Sequence, residues 1–274
     1  MNPVRTAIAG EIRGMFAAEP ARGDDFERGI GLFTEGAVSR RVHGNVTTMM
    51  IGGISALLLQ MLHPGALGGV WDHSNFRQDM LGRLRRTARF IAATTYGREA
   101  DAQAAIARVR SVHAYVTGTL PDGTPYAADD PHLLNWVHIT ELTSFLAAWK
   151  RYKEPGMTRA DQDRYFAENV VVAERLGASD VPASRAGAEA FLRDIRSELR
   201  ADARVRDVRG VLMSHRAGKA AAQPAVDLIL RAGADLLPDW ARSMHGFRSL
   251  PGERIAVRAG AAALTRTVGW AMAG

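Results

Sequence analysis

The chain has 274 residues, 47% apolar and 23% charged, with a formal net charge of +6, the proportions of a globular protein with room for one large domain or two small ones. It contains no cysteine, which excludes a disulfide framework, thiolate haem ligation, cysteine-held iron–sulfur clusters and cysteine nucleophiles. All but three of the 35 basic residues are arginine (the lysines are Lys150, Lys153 and Lys219), and they alternate with acids, as in Glu198-Leu199-Arg200-Ala201-Asp202-Ala203-Arg204. That is the pattern of a solvated helix face and not of a nucleic-acid surface.

Met1 to Phe16 carries Arg5, Glu11 and Arg13 and lacks the apolar core of a signal peptide. With the absence of cysteine, this sets the expectation of a cytoplasmic protein. Apolar periodicity predicts helices over 4–18 and 25–34 and then over 46–63. No Asp, Glu, Lys or Arg falls between Val46 and Trp71, yet Gly52, Gly53, Ser55 and Gln60 interrupt the apolar run and His63-Pro64-Gly65 ends it. The run is shorter than the ~20 apolar residues a membrane span needs, so a buried core helix is expected, and no membrane span.

Helices follow over 76–96 and 98–117. Leu120-Pro121-Asp122-Gly123-Thr124-Pro125 is a turn, and the loop from Thr119 to Asp130 is long enough to make the flanking helices neighbours. Asp130 can cap a helix over 131–152 that opens on Pro131. Thr158 and Asp161 form the start of a helix over 158–176 that Gly177 ends. Helices over 184–200, 222–236 and 254–271 complete the chain, with Arg216 to Ala222 read as a loop. Strand alternation is nearly absent, and no repeat or linker interrupts the pattern. The expectation is a single all-α domain over 1–274, its helices packed in crossed pairs around one core.

The chemistry-bearing residues concentrate in the middle. Ile106, Val109, His113 and Val116 recur at three- and four-residue steps, with Val112 beside them, so His113 points inward. On the next helix Leu134, His138, Glu141 and Phe145 repeat the pattern. Arg83, Arg86, Thr87 and Phe90 share one face of the helix before them. Burying such guanidinium groups demands anions, and haem propionates or phosphates qualify. His73 stands just before that arginine helix. His63 reads as structural, and His43, His132, His215 and His245 give no signal. No dinucleotide or Walker phosphate loop, nucleophile elbow, His-Glu-x-x-His or paired Glu-x-x-His is present.

Inward imidazole with clustered guanidinium is what a haem pocket needs: one nitrogen for iron, cations for the propionates. Two other readings of the same residues stand beside it. One is a non-haem metal enzyme using His113, His138 and Glu141. The other is a non-enzymatic haem-binding helical protein.

Residues 57–152 also carry a composite signature: Leu58-Leu59-Gln60-Met61-Leu62-His63-Pro64, His73-Ser74-Asn75-Phe76, Arg83-Leu84-Arg85-Arg86-Thr87, Val109-Arg110-Ser111-Val112-His113, Tyr126-Ala127-Ala128-Asp129-Asp130-Pro131 and Trp136-Val137-His138. Together they resemble the oxygenase family that includes latex-clearing protein, a rubber oxygenase, and the mpaB-type oxygenases. The resemblance implies a globin-like helical core around b-type haem, with His113 as the iron ligand and Arg83, Arg86 and Thr87 as the distal cluster. It further implies Arg83 and Arg86 neutralising a propionate or an oxygen anion, and Thr87 as a hydrogen-bond donor. His138 would be a distal proton donor, and His73 and Phe90 part of the pocket. Dioxygen or peroxide and a small apolar organic molecule would be the substrates. Where latex-clearing protein has a lysine, this chain has Arg86, and no lysine precedes Lys150. Arginine has no free lone pair for iron, so the departure counts against rubber cleavage and leaves haem binding in place.

Overall fold

A computed structural model describes residues 26–217 and 220–272. The architecture is all-α: among the described residues there are twelve α-helices and one small two-stranded hairpin. The helix expected over 4–18 lies outside the described residues.

At the centre is α2 (Val46–Gln60), opened by the Asn45 side chain, which accepts from the Thr48 amide at 3.0 Å. It packs against α6 (Pro131–Tyr152) on one side and α10 (Gln223–Leu236) on the other. Glycine sets how closely these helices approach. A Cβ on Gly52 would stand 2.7 Å from Phe145 Cδ1 of α6, and one on Gly233 of α10 would stand 2.5 Å from Ile54 Cγ2. The charge-free segment is therefore the core helix its composition predicts, buried from Ile54 to Gln60 without a break.

The segment does not run straight to Trp71. The chain bends by 103° after Gln60 into α3 (Pro64–His73). Pro64 was expected only to stop a helix; at the first helical position it also starts one, because its missing N–H would have no partner there. Among the described residues no single helix is long and apolar enough to cross a membrane.

Other boundaries depart from the periodicity for local reasons. Residues 26–34 are not helical. They run alongside the end of α4 (Met80–Tyr96), with the Gly29 amide donating to the Tyr96 carbonyl at 2.8 Å and the Arg98 amide to the Glu27 carbonyl at 3.0 Å. α4 itself begins at 80 and not 76, because the Asp79 carboxylate caps it from the Gly82 amide at 2.7 Å. α5 (Glu99–His113) stops four residues early. The chain then forms β1 (Thr117–Thr119) antiparallel to β2 (Pro125–Ala127), so the predicted turn, with Gly123 at φ 88°, is the tip of a β-hairpin.

α6 matches its predicted bounds: Asp130 Oδ1 accepts from the His132 and Leu133 amides. α7 (Arg159–Leu176) is capped by Thr158 and ended by Gly177 in the left-handed region at φ 112°. α8 (Arg185–Asp194) hands over to a 3-10 turn, Ile195–Glu198. The short helices α1 (Val38–His43), α9 (Ala203–Met213) and α11 (Asp239–His245) carry too few turns to show a period. The last helix, α12 (Glu253–Met272), lies against α10.

One continuous apolar cluster joins α1, α2, α3, α6, α7 and α8 to the C-terminal helices, and α4 adds Met80 and Ile91 to it. The α4–α5 pair is attached differently. It touches α1 and α7 but stands off α6, and the space so left is the cavity described next.

Candidate active site

A cavity of about 860 Å³ opens between α4–α5 on one side and α2, α3, α6 and α7 on the other. It lies near the top of the ~300–1,000 Å³ range of cofactor and ligand pockets. Every residue singled out in the sequence lines it: His73, Arg83, Arg86, Thr87, Phe90, His113, His138 and Glu141. The two histidine helices are not packed neighbours, as loop length had suggested. α5 pairs with α4 and α7, so His113 and His138 reach the cavity from different walls.

His113 ends α5, half-buried, on a stripe with the buried Ala102 and Ile106. Val112, expected beside that stripe, is 55% exposed. Burial chiefly, and Arg83 secondarily, push the His113 pKa down against the pull of Asp129, so the imidazole is neutral at pH 7. Among the described residues neither of its ring nitrogens makes a hydrogen bond.

His138 is 8% exposed, and among the described residues its Nε2 has no hydrogen-bond partner. Burial lowers its pKa to about 4. One turn further along the same face of α6, burial raises the Glu141 carboxyl to about 7, with Gln60 and Arg83 opposing the rise. Arg83 is the converse case. Its guanidinium is desolvated and further opposed by Arg86, which lowers its pKa to about 10, with only Glu141 pulling the other way. Among the described residues it makes no ion pair and no hydrogen bond.

Arg86 differs from its expected role. It is exposed, and its guanidinium lies 3.5 Å from the Asp79 carboxylate, so it stands at the rim already paired. His73 is also exposed. Its Nε2 donates to the Thr117 carbonyl at 2.9 Å, which ties the end of α3 to β1.

The cavity contains one histidine that the sequence did not flag. His43, at the end of α1, is buried between Thr95 Oγ1 at 2.9 Å from Nδ1 and Tyr165 Oη at 2.8 Å from Nε2. Burial, with His138 nearby, lowers its pKa to about 3. Gln60, whose amide donates to the Val137 carbonyl, joins the same lining. Neither could be found by periodicity: Gln60 is the polar end of an apolar helix, and α1 is six residues long.

The set His113, His138 and Glu141 does not converge on a point. Among the described residues, the one group of three histidine or carboxylate ligand atoms within 4.8 Å of one another is His63, His132 and Glu198, outside the cavity lining. The non-haem reading of the cavity residues thus lacks the geometry of a shared ion.

A family model, the catalytic domain of ER-bound oxygenase mpaB/B' and rubber oxygenase, matches residues 40–270. No curated protein and no solved structure matches the chain.

Proposed function

The chain belongs to the mpaB and rubber oxygenase catalytic-domain family, and from that premise we propose that the cavity holds b-type haem and that the protein is a haem-dependent oxygenase of a small apolar organic molecule, with dioxygen or peroxide as co-substrate. The observation that carries the reading is the pairing of a desolvated Arg83 cation, which among the described residues makes no ion pair and is offset only by Glu141, with a neutral His113 imidazole, which makes no hydrogen bond among them, in one cavity of about 860 Å³. An uncompensated buried charge is costly. A carboxylate-bearing macrocycle supplies both the missing anion and a metal for the free nitrogen.

In this reading His113 holds the iron, and Arg83 balances a propionate. The haem supplies the activation of the oxidant. The Thr87 hydroxyl donates a hydrogen bond into the cavity. His138, uncharged at any pH above about 4, offers or accepts a proton at Nε2 as a neutral imidazole and adds no charge to an apolar site. Phe90, Val70, Leu142 and Phe145 give the walls on which an apolar substrate excludes water. Arg86 keeps its Asp79 partner and sets positive charge at the rim.

The test is an absorption spectrum of the purified protein, oxidised and reduced, after expression with iron or reconstitution with haemin. A Soret band is expected, lost or greatly weakened in His113→Ala, with looser haem retention in Arg83→Gln. A folded protein that takes up no haem, or a His113→Ala variant with an unchanged spectrum, would overturn the assignment.

A further inference from the structure

His63, His132 and Glu198 come from three segments far apart in the chain: the bend between α2 and α3, the first turn of α6, and the 3-10 turn after α8. His132 Nε2 lies 3.1 Å from each carboxylate oxygen of Glu198, and His63 Nε2 lies 3.4 Å from Oε2. All three ligand atoms fall within 4.8 Å of one another. In a tetrahedral site with metal–ligand bonds of about 2.0–2.1 Å, adjacent ligand atoms are separated by about 3.3–3.4 Å. Each imidazole nitrogen already stands at nearly that spacing from the carboxylate.

Glu198 thus faces two imidazoles at once, His132 and His63. The His63 Nε2 atom is buried, and among the described residues it faces the Glu198 carboxylate at 3.4 Å without a well-formed hydrogen bond. One carboxylate set between two imidazole nitrogens, one of them buried, is a set of donors that a cation can share once the rings turn their lone pairs to it.

We propose that His63, His132 and Glu198 bind one divalent cation of the zinc type, with water as the fourth ligand. Two imidazoles and one carboxylate are a zinc donor set. The proposal is independent of the haem assignment, since none of the three residues lines the cavity.

The binding has a specific structural consequence. At present His63 Nδ1 accepts the Gly65 amide hydrogen at 3.1 Å, which caps α3. Coordination through Nε2 moves the ring proton to Nδ1, so the cap bond is given up and the Gly65 amide is released. Gly65 does line the cavity. The ion therefore ties together the α2–α3 bend, the start of α6 and the turn after α8 while loosening the first turn of one cavity wall.

The experiment uses the full chain, stripped with a chelator and titrated with zinc chloride by calorimetry. Hydrogen exchange is followed in parallel. One zinc per chain is expected, together with faster exchange at Gly65. His132→Ala and Glu198→Gln should each weaken binding at least about tenfold. Both residues are exposed, so these variants keep the fold. His113→Ala should bind zinc as the parent does. The proposal is overturned if no zinc binds, or if binding is undiminished in His132→Ala and Glu198→Gln.

Discussion

Adjacent glycines in α2 offer a sharp test of how the helix carrying His138 and Glu141 is held in place. A Cβ on Gly52 would lie 2.7 Å from Phe145 Cδ1, 3.0 Å from Phe145 Cα and 3.1 Å from the Ser144 carbonyl oxygen. Two of these three atoms are α6 backbone, so a side-chain rotation cannot relieve the clash. On Gly53 the nearest atom is Phe145 Cε1 at 3.9 Å, an ordinary contact. Replacing a helical glycine by alanine gains about 1 kcal/mol, while overpacking a filled seam costs about 1–3 kcal/mol. Gly53→Ala should therefore stabilise the protein by up to about 1 kcal/mol. Gly52→Ala should lose that gain and destabilise the protein by up to about 2 kcal/mol net. The assay is urea denaturation followed by circular dichroism, comparing midpoints at unchanged slope. Because Phe145 also lines the cavity, Gly52→Ala should loosen haem retention while Gly53→Ala should not. Equal effects of the two substitutions, in sign and size, would refute the claim that α2 and α6 meet backbone to backbone at this position.

Acid should weaken the fold. Burial holds His43 at about 3 and His138 and His245 at about 4, against an ordinary 6.5. Each folded-state pKa is below the unfolded one, so the unfolded chain binds more protons and stability falls as pH drops below 6.5. At pH 5 the three together cost about 5–6 kcal/mol relative to pH 7. Glu141 runs the other way. Its folded pKa of about 7 lies above the ordinary 4.5, so its protonated form is favoured as pH falls, returning about 2 kcal/mol. The net loss of about 3 kcal/mol should appear as a lower urea midpoint at pH 5 than at pH 7, and a flat profile would contradict it. Arg83→Met should leave the melting temperature of the haem-free protein unchanged or raised, since it removes an unpaired desolvated cation, while haem uptake weakens; a clear fall in stability would show that Arg83 has a structural partner. Asp235 is 3% exposed and receives Arg151, Arg254 and Arg258. Asp235→Ala should cost about 2–4 kcal/mol in thermal denaturation by leaving those cations against one another.

What was legible in the sequence followed from the length of the elements that carry it. α6 runs to its predicted bounds because Asp130-Pro131 is both cap and first turn, and α7 because Thr158 and Gly177 mark its ends. Arg83, Thr87, Phe90, His113 and His138 could be picked out because α4, α5 and α6 are long enough for a three-and-four step to show which side chains share a face. The hairpin escaped notice because strands of three residues carry no alternation. His43 and the His63–His132–Glu198 group escaped because each is assembled by tertiary contacts between distant segments, and no local spacing records that. Arg86 is a mixed case, lining the cavity with its guanidinium held at the rim. It has the right spacing to face the cavity, but Asp79, the cap of the same helix, draws it to the rim.

The placement of the cavity follows from how unevenly the helices are joined. α2 is clamped on both sides at glycine contacts with no room for another carbon, which fixes α6 and with it the positions of His138 and Glu141. α4 and α5, which carry Arg83, Thr87 and His113, are held to the rest of the fold through α1 and α7 and not through α6. A wall fixed at glycine contacts thus faces one held through other helices, with a carboxyl and an imidazole on the first and a cation and an imidazole on the second. Closing the gap would bring the Arg83 cation toward Glu141 but also against the apolar Leu142 and Phe145 side chains, at a desolvation cost. An anionic, flat, largely apolar group satisfies both walls at once. Haem binding is accordingly expected to raise the melting temperature and to slow hydrogen exchange in α4 and α5 far more than in α2 or α6. Protection spread evenly over all four helices would mean that the arginine wall is already fixed by the protein alone.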